Sequence, residues 1–315
     1  MENLLITGGS GTVGFSFIKN NYNNYNIYSY SRNEKSQVAL KRSFPKIEII
    51  LGSVEDKYDL NNAFTKAKPQ IVIHAAALKH VDTAEKQPIE MVKSNIIGTK
   101  NIIEASKDNN VPITIGISTD KACNPKNLYG YSKIIMEKMF LEANNEKNIF
   151  SCTRFGNVAG SNGSVIPFWL NCLKSNKPLP ITDIRMTRLM LNYDEVSEII
   201  EKVIEEAKKG VGGIVLSKIM KKVELYRLAN NISKKTKIVG LRPGEDLNED
   251  LITESELEFS ELKDSYIYIR NEINKNLNTR LKEPISSENS LDMTDQEISQ
   301  MIKLINESSF LNEYY

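Results

Sequence analysis

The sequence predicts an α/β fold wound in both directions around a parallel sheet. Two observations carry this. Strand-length apolar runs alternate with helical patterns through the first half of the chain. The runs are also nearly continuous in apolar character, as strands covered on both faces must be. NLLIT (3–7) leads to a helix starting near Thr12, and NIYSYS (26–31) to one beginning in the mid-30s. IEIIL (47–51) precedes 56–67, and QIVIHAA (70–76) precedes a long helix over about 85–107. ITIGIS (113–118) precedes a helix over about 128–145, and IFSCTR (149–154) closes the series. Right-handed crossovers leave few topologies for six such strands.

Beyond 155 the rhythm loosens. GNVAGSNGSVIPF (156–168) reads as a loop, 195–209 and 221–234 as helices, and GGIVLS (212–217), KIVGL (237–241) and DSYIYIR (264–270) as strands. The expected division is a dinucleotide-binding domain over 1–165 with interleaved segments near 190–220, and a smaller substrate-binding part over 166–282. A linker-like 283–293 follows, then a helix opened by the capping pair Thr294/Glu297 and running to about 306, with a frayed SSFLNEYY end.

A chain of 315 residues and 35.7 kDa buries roughly three quarters of its unfolded surface, so it needs no disulfide or metal staple. Lys+Arg 41 against Asp+Glu 40 leaves a net charge of +1, which argues against a nucleic-acid or anionic-membrane binder. Hydrophobic content of 40% with 26% charged residues argues against disorder. Three cysteines without paired spacing and two histidines make a metal site improbable. With neither a signal peptide nor an 18-residue apolar run in view, the expected compartment is the cytosol.

The turn Thr7-Gly8-Gly9-Ser10-Gly11-Thr12-Val13-Gly14 follows a strand and opens a helix, the context of a dinucleotide site on a Rossmann sheet. Gly8 permits the tight turn, Gly11 lets backbone amides approach a pyrophosphate at the helix N-terminus, and Gly14 lets helix and strand pack closely. The second strand ends in Ser31 and Arg32, with Lys35 a turn later, where an NAD site wants a carboxylate. A cation there suits a 2′-phosphate and favours NADP, although Glu34 stands close enough to compete. Ala75 and Ala76 after His74 leave room for the cofactor, and His74 reads as a packing histidine.

Ser118-Thr119-Asp120-Lys121 ends the fifth strand, and ten residues past Thr119 stands Tyr129, with Lys133 one turn on. Tyr and Lys at this spacing share a helix face. Beside an oxidised nicotinamide, the lysine would lower the tyrosine pKa and hold the nicotinamide ribose, and the tyrosine would take a hydroxyl proton as hydride leaves the same carbon. Thr119, Asp120, Lys121, Tyr129 and Lys133 are the candidate catalytic set. Gly8, Ser10, Gly11, Thr12, Val13, Ser31, Arg32, Lys35, Ala75 and Ala76 join Tyr129 and Lys133 as the cofactor set.

The glycine turn, Tyr129/Lys133 and Arg242-Pro243-Gly244-Glu245 resemble the extended short-chain dehydrogenases/reductases that act on nucleotide sugars. AAALKHV (75–81), STDKACNPKNLYGYSK (118–133), RFGNVAGSNGSVIPF (154–168), ITDIRMTR (181–188) and LRPGEDLNE (241–249) are similar to the inverting UDP-N-acetylglucosamine 4,6-dehydratases, a resemblance running from about 3 to 252. It implies NADP, a nucleotide-sugar substrate and loss of water from C5 and C6. In the related dTDP-glucose dehydratases an Asp-Glu pair supplies the acid and the base; here Asp120 is followed by Lys121. Lys121 serves as base only if neutral, and Lys133, Lys79, the cofactor's charge and burial are expected to depress its pKa. The resemblance further implies that Lys79 and Asn157 contact the sugar or its phosphates, that Val165, Ile166 and Pro167 flank uracil, and that Arg242 and Glu245 hold the UDP moiety. Arg185 and Arg188 are either phosphate contacts or structural ion pairs. Asn162, Asp246 and Asn248 depart from the family pattern. The implied assembly is a homodimer or larger homo-oligomer, paired through helices near 85–107 and 127–145 with Ile96, Ile97, Ile134, Ile135 and Met139 as candidate contacts. An epimerase acting at C4 or C2 and a non-catalytic NADP sensor are the competing readings.

Overall fold

The structure, a computed structural model, describes residues 1–242, 244–272 and 279–307. The strands β1 (Asn3–Thr7), β2 (Asn26–Ser31), β3 (Glu48–Leu51), β4 (Ile71–His74), β5 (Ile113–Ile117) and β6 (Ile149–Thr153) are the six runs expected from the sequence. They pair in parallel in the order β3-β2-β1-β4-β5-β6, so the order reverses between β1 and β4, where a doubly wound sheet opens its ligand crevice. The helices of this half are α1 (Thr12–Asn21), α2 (Glu34–Ser43), α3 (Lys57–Ala67), α4 (Val81–Lys86), α5 (Pro88–Met91), α6 (Gly98–Asp108) and α7 (Leu128–Ala143). Asp56 caps α3 by accepting from the amides of Tyr58 and Asp59 at 2.9 and 3.0 Å, and Asn127 caps α7 by accepting from Gly130 N–H at 3.0 Å.

The long helix expected over 85–107 is broken. Pro88 lacks an N–H and forces Gln87 out of helical geometry (φ −131°, ψ 60°), and a π-helical turn runs from Val92 to Ile97. From that turn the buried Asn95 brackets Leu78, accepting from its N–H at 2.8 Å and donating to its carbonyl at 2.9 Å. The wider turn thereby fixes the loop after β4.

The second half holds β7 (Asn157–Val158), α8 (Val165–Lys174), β8 (Leu179–Ile181), β9 (Thr187–Leu191), α9 (Tyr193–Lys208), β10 (Ile214–Lys218), β11 (Lys222–Glu224) and α10 (Leu225–Ile232). It continues through β12 (Thr236–Ile238), β13 (Asp250–Ile252), β14 (Ser260–Lys263), β15 (Tyr266–Arg270), β16 (Ile285–Ser286) and α11 (Asp295–Glu307). β10 joins β6 in parallel, and β15 and β14 extend the sheet antiparallel to nine strands. Residues 260–270, assigned from sequence to the substrate-binding part, therefore belong to the main sheet. The helix expected over 221–234 begins instead with β11, because Val223 is buried and its backbone pairs with β9. The segment 283–293 is no free linker: β16 pairs with β13, and Ser287 is fully buried. The Thr294/Glu297 pair caps α11 as expected, with contacts of 2.8 and 3.2 Å. Residues 308–315, expected to fray, lie outside those described.

Two apolar clusters result. The larger fills both faces of the main sheet, and the smaller gathers Ile166, Trp169, Leu179, Met186, Leu228 and Ile298 beneath the C-terminal part. Among the described residues no helix is long and apolar enough to cross a membrane. Ile97, Tyr131 and Ile135 are exposed on the outer helical face, whereas Ile96, Ile134 and Met139 are half-buried.

A buried ion network links α7 to the far end of the chain. Arg154, 1% exposed, donates to Glu137 Oε1 and Oε2 at 3.0 and 2.7 Å, to Glu256 at 3.0 and 2.8 Å and to the Leu251 carbonyl at 3.0 Å. Burial opposes its charge, and the two carboxylates more than restore it. Glu137→Ala leaves the guanidinium buried and underpaired, and unfolding free energy should fall by about 3–5 kcal/mol in a urea titration.

Candidate active site

At the crevice, β1 ends in Gly8, whose φ of +70° favours glycine; a Cβ there would stand 2.8 Å from Ala76 N. Gly14 lets α1 press onto the turn, since a Cβ there would lie 2.5 Å from Gly9 Cα. Gly11 occupies the N-cap of α1 and brings no side-chain cap, so the first amides face the crevice. A cavity of about 260 Å³ is lined by Gly8, Ser10, Gly11, Ser31, Arg32 and Ala76. A second, of about 270 Å³, is lined by Thr12, Val13, Thr119, Tyr129 and Lys133, and Ala75 lines both. The pair, flanking a glycine turn at the sheet's reversal, fits the two halves of a dinucleotide. At the 2′ end the fit is less decisive. Arg32, its side chain 55% exposed, is paired at 3.3 Å with Glu55, a carboxylate that competes for it, and Lys35 is exposed outside the cavity lining.

Beyond β5 the chain turns through a short 3₁₀ segment, Asp120–Ala122, into α7. Gly130 allows that approach: a Cβ there would lie 2.4 Å from the Lys121 carbonyl oxygen. Asp120 Oδ1 accepts from Thr119 Oγ at 2.8 Å, Lys121 N–H at 2.9 Å and Lys121 Nζ at 3.1 Å. Its Oδ2 is buried and has no hydrogen-bond partner among the described residues. Burial pushes the Tyr129 hydroxyl up to about 12, Lys121 pulls it back, Asp120 raises it, and a hydrogen bond with Thr119 lowers it. Lys133 donates to the Ile117 carbonyl at 2.7 Å and is lowered to about 8 by burial. The cation that lowers the Tyr129 pKa in this arrangement is Lys121, while Lys133 is held on the Ile117 carbonyl.

Lys121 also departs from expectation. Burial works against its charge, but Asp120 at 3.1 Å and Glu249 at 3.2 Å outweigh it, so its pKa rises instead of falling. Glu249 is the residue that sequence reasoning missed. It arrives just before β13, and Arg188 Nε approaches it at 3.5 Å.

A larger cavity of about 600 Å³ adjoins this centre, within the size range of small-molecule sites. Lys79, Asn157, Val165, Arg242 and Glu245 line it as expected, and Lys79, Lys121 and Asn157 also line the second cavity. Enclosure by the cleft lowers the Lys79 pKa. Ile166 and Pro167 are corrections: both turn inward from α8 and are buried, and the half-exposed Phe168 stands on the wall in their place. Arg242 N–H donates to Glu245 Oε2 at 3.0 Å. Arg185 pairs with Asp183 at 2.8 Å on the surface. Arg188 is buried and donates to the carbonyls of Thr187, Asp246 and Leu247 at 2.7, 2.9 and 3.1 Å. Asp246 pairs with Lys126 at 2.5 Å, Asn248 accepts from Thr187 Oγ at 2.7 Å, and Asn162 N–H donates to Thr12 Oγ at 3.1 Å. His74 is a packing residue between Thr7 and Thr99, its pKa pushed down to about 3 by burial.

A family model described as polysaccharide biosynthesis protein matches residues 4–271. The inverting UDP-N-acetylglucosamine 4,6-dehydratase of Campylobacter jejuni is 42% identical over 266 residues, covering 80% of this chain and 78% of its own. A UDP-glucose 4-epimerase of Rickettsia bellii is 34% identical over 283 residues, covering 85% and 82%. The structure of Pen from Bacillus thuringiensis superposes with a TM-score of 0.87 at 28% identity, over 96% of this chain and 97% of that one. Several solved chains sharing the fold at lower identity were obtained with NAD. This chain belongs to the polysaccharide biosynthesis protein family and is a nucleotide-sugar-modifying enzyme of the epimerase/dehydratase type.

Gly8→Ala introduces a Cβ into a left-handed conformation, which costs an L-residue about 1–2 kcal/mol before the clash with Ala76 is counted. Stability to urea should fall by at least about that amount, and calorimetric affinity for a nicotinamide dinucleotide by about tenfold or more.

Proposed function

We propose that this enzyme is an NADP-dependent 4,6-dehydratase of UDP-N-acetylglucosamine that inverts C5, giving UDP-2-acetamido-2,6-dideoxy-β-L-arabino-hexos-4-ulose. The observation that carries this is the Asp120–Lys121 pair set beside Tyr129, at the junction of the two cavities, with one carboxylate oxygen of Asp120 buried and unpartnered. Asp120 meets Lys121 through its other oxygen, so the buried one is left to take up a proton and deliver it to a leaving group. A nicotinamide dinucleotide held by the glycine turn, Tyr129 and Lys133 would supply the redox chemistry, a hydride accepted from sugar C4 and returned at C6. Tyr129 takes the 4-hydroxyl proton, and the resulting ketone acidifies C5–H. Lys121 removes that proton while Asp120 protonates the departing C6 hydroxyl. The long Lys121 stem reaches the other face of C5 for reprotonation with inversion. The proton that Asp120 delivers is the one Tyr129 took from the 4-hydroxyl, so Asp120 begins and ends the cycle as the anion paired with Lys121.

Identity to a 4-epimerase favours a second reading, in which Tyr129 and Lys133 act alone and Asp120 and Lys121 have no task. Mass spectrometry of UDP-N-acetylglucosamine incubated with the enzyme separates the two: loss of one water for the dehydratase, unchanged mass with a new isomer for the epimerase. Lys121→Ala should still oxidise C4, seen as a rise in reduced-cofactor absorbance, but lose solvent-deuterium exchange at C5 by about 10²–10⁴-fold. Tyr129→Phe should suppress the absorbance rise itself. Wild-type exchange in Lys121→Ala would remove Lys121 as the base.

The choice of NADP rests on Arg32, whose guanidinium lines the cavity at the end of β2 and is capable of bidentate pairing with a 2′-phosphate. Arg32→Asp should weaken NADP binding by about 2–4 kcal/mol in calorimetry. Equal affinity of the unmutated enzyme for NAD and NADP would overturn the cofactor choice. The exposed Ile97, Tyr131 and Ile135 suit a helical interface between two copies. Light scattering at micromolar concentration should give a mass of at least two chains.

A further inference from the structure

A lysine must shed a proton before it can act as a base, and two carboxylates hold the Lys121 ammonium. Asp120 is its neighbour in sequence. Glu249 is not, yet its carboxylate lies as close, at 3.2 Å, with its side chain 11% exposed. The backbone of Glu249 is fastened on both sides: its N–H donates to Ser287 Oγ at 2.9 Å, and its carbonyl accepts from Ser287 N–H at 2.8 Å. Ser287 Oγ in turn accepts from Thr187 Oγ at 2.8 Å. The carboxylate thus has a fixed place on the wall of the large cavity, against the one amine that needs a proton acceptor. Burial raises its affinity for a proton, Lys121 and Arg188 lower it, Asp120 raises it, and the net shift is upward.

We infer that Glu249 is a positioning residue that accepts the Lys121 proton inside the site, so that the amine is freed without releasing a proton to water. The inference rests on Lys121 being the C5 base. An N–H bond of the ammonium breaks and an O–H bond forms on Glu249, leaving the total charge unchanged. The freed amine lone pair then takes the C5 proton, and the C5–H electron pair becomes the C5–C6 double bond as the C6 hydroxyl leaves with the proton of Asp120. Lys121 returns its proton to C5, and Glu249 hands its own back to the amine. The charged and titratable groups facing this pair are Asp120 from the segment between β5 and α7, Tyr129 from α7 and Arg188 from β9, with Lys126 and Asp246 paired further out.

Glu249→Gln keeps the shape and removes the acceptor. The readouts are the single-turnover rise in reduced-cofactor absorbance and solvent-deuterium wash-in at C5, each followed from about pH 6 to pH 9. In the unmutated enzyme the transfer is internal, and wash-in should be level with pH. In Glu249→Gln, Lys121 must lose its proton to water. Wash-in should fall by about 10²-fold or more near neutrality and climb about tenfold per pH unit, while the absorbance rise persists. Wash-in at the wild-type rate, or a uniform loss without that slope, would overturn the inference. If Glu249→Gln also loses the absorbance rise, Glu249→Asp decides: a level profile at reduced rate upholds the acceptor role, and a sloped one overturns it. Lys121→Ala separates the two layers. Wild-type wash-in there defeats the base assignment itself, whereas loss there beside an unaltered Glu249→Gln defeats only the role of Glu249.

Discussion

The buried guanidinium of Arg154 is the constraint to which the rest of the site answers. It leaves the end of β6 and reaches two carboxylates from opposite directions, Glu137 on α7 and Glu256 beyond β13. Its hydrogen bonds are directional and its side chain is 1% exposed, so neither partner can shift without leaving a buried charge underpaired. α7 carries Tyr129 and Lys133, and the β13 region carries Glu249. One cation therefore fixes, relative to the same strand, both the helix that presents the tyrosine and the segment that presents the distant carboxylate.

Close backbone approach does the remaining placement. Gly8 lets the first turn lie against Ala76, and Gly130 lets α7 sit on the Lys121 carbonyl. The crevice between β1 and β4 is thus joined without a gap to the cleft beneath the C-terminal part. Lys79, Lys121 and Asn157 are among the residues that stand on the wall of both cavities. A molecule in one cavity meets the same side chains as a molecule in the other, as transfer between two bound partners requires.

Much of this was legible in the sequence. The six parallel strands follow from alternating apolar runs, and β1 and β2 match the expected bounds residue for residue. The Thr294/Glu297 cap and the glycine turn are local signals, and local signals survive folding. What was missed depends on contacts between distant segments. β11 reads as helix because its three residues become a strand only against β9. The break at Gln87 was available from Pro88, but the π turn after it depends on where Asn95 finds Leu78. The inward turn of Ile166 and Pro167 is set by the second core, which no spacing within 154–168 reveals. Glu249 and its rise of the Lys121 pKa were invisible for the same reason, since the two meet only in space.

Ser287 has a consequence for the order in which the molecule becomes complete. All nine strands of the main sheet, and residues 279–281 that pair back onto β14, precede Ser287, so the nucleotide crevice can form while the segment carrying Ser287 is still being synthesised. The hydrogen bonds that seat Glu249 and tie it to Thr187 come from a residue translated later. A chain halted before Ser287 would own the crevice but not the finished proton-handling centre, so a segment remote in sequence from Tyr129 and Lys121 acts as a maturation step for their chemistry.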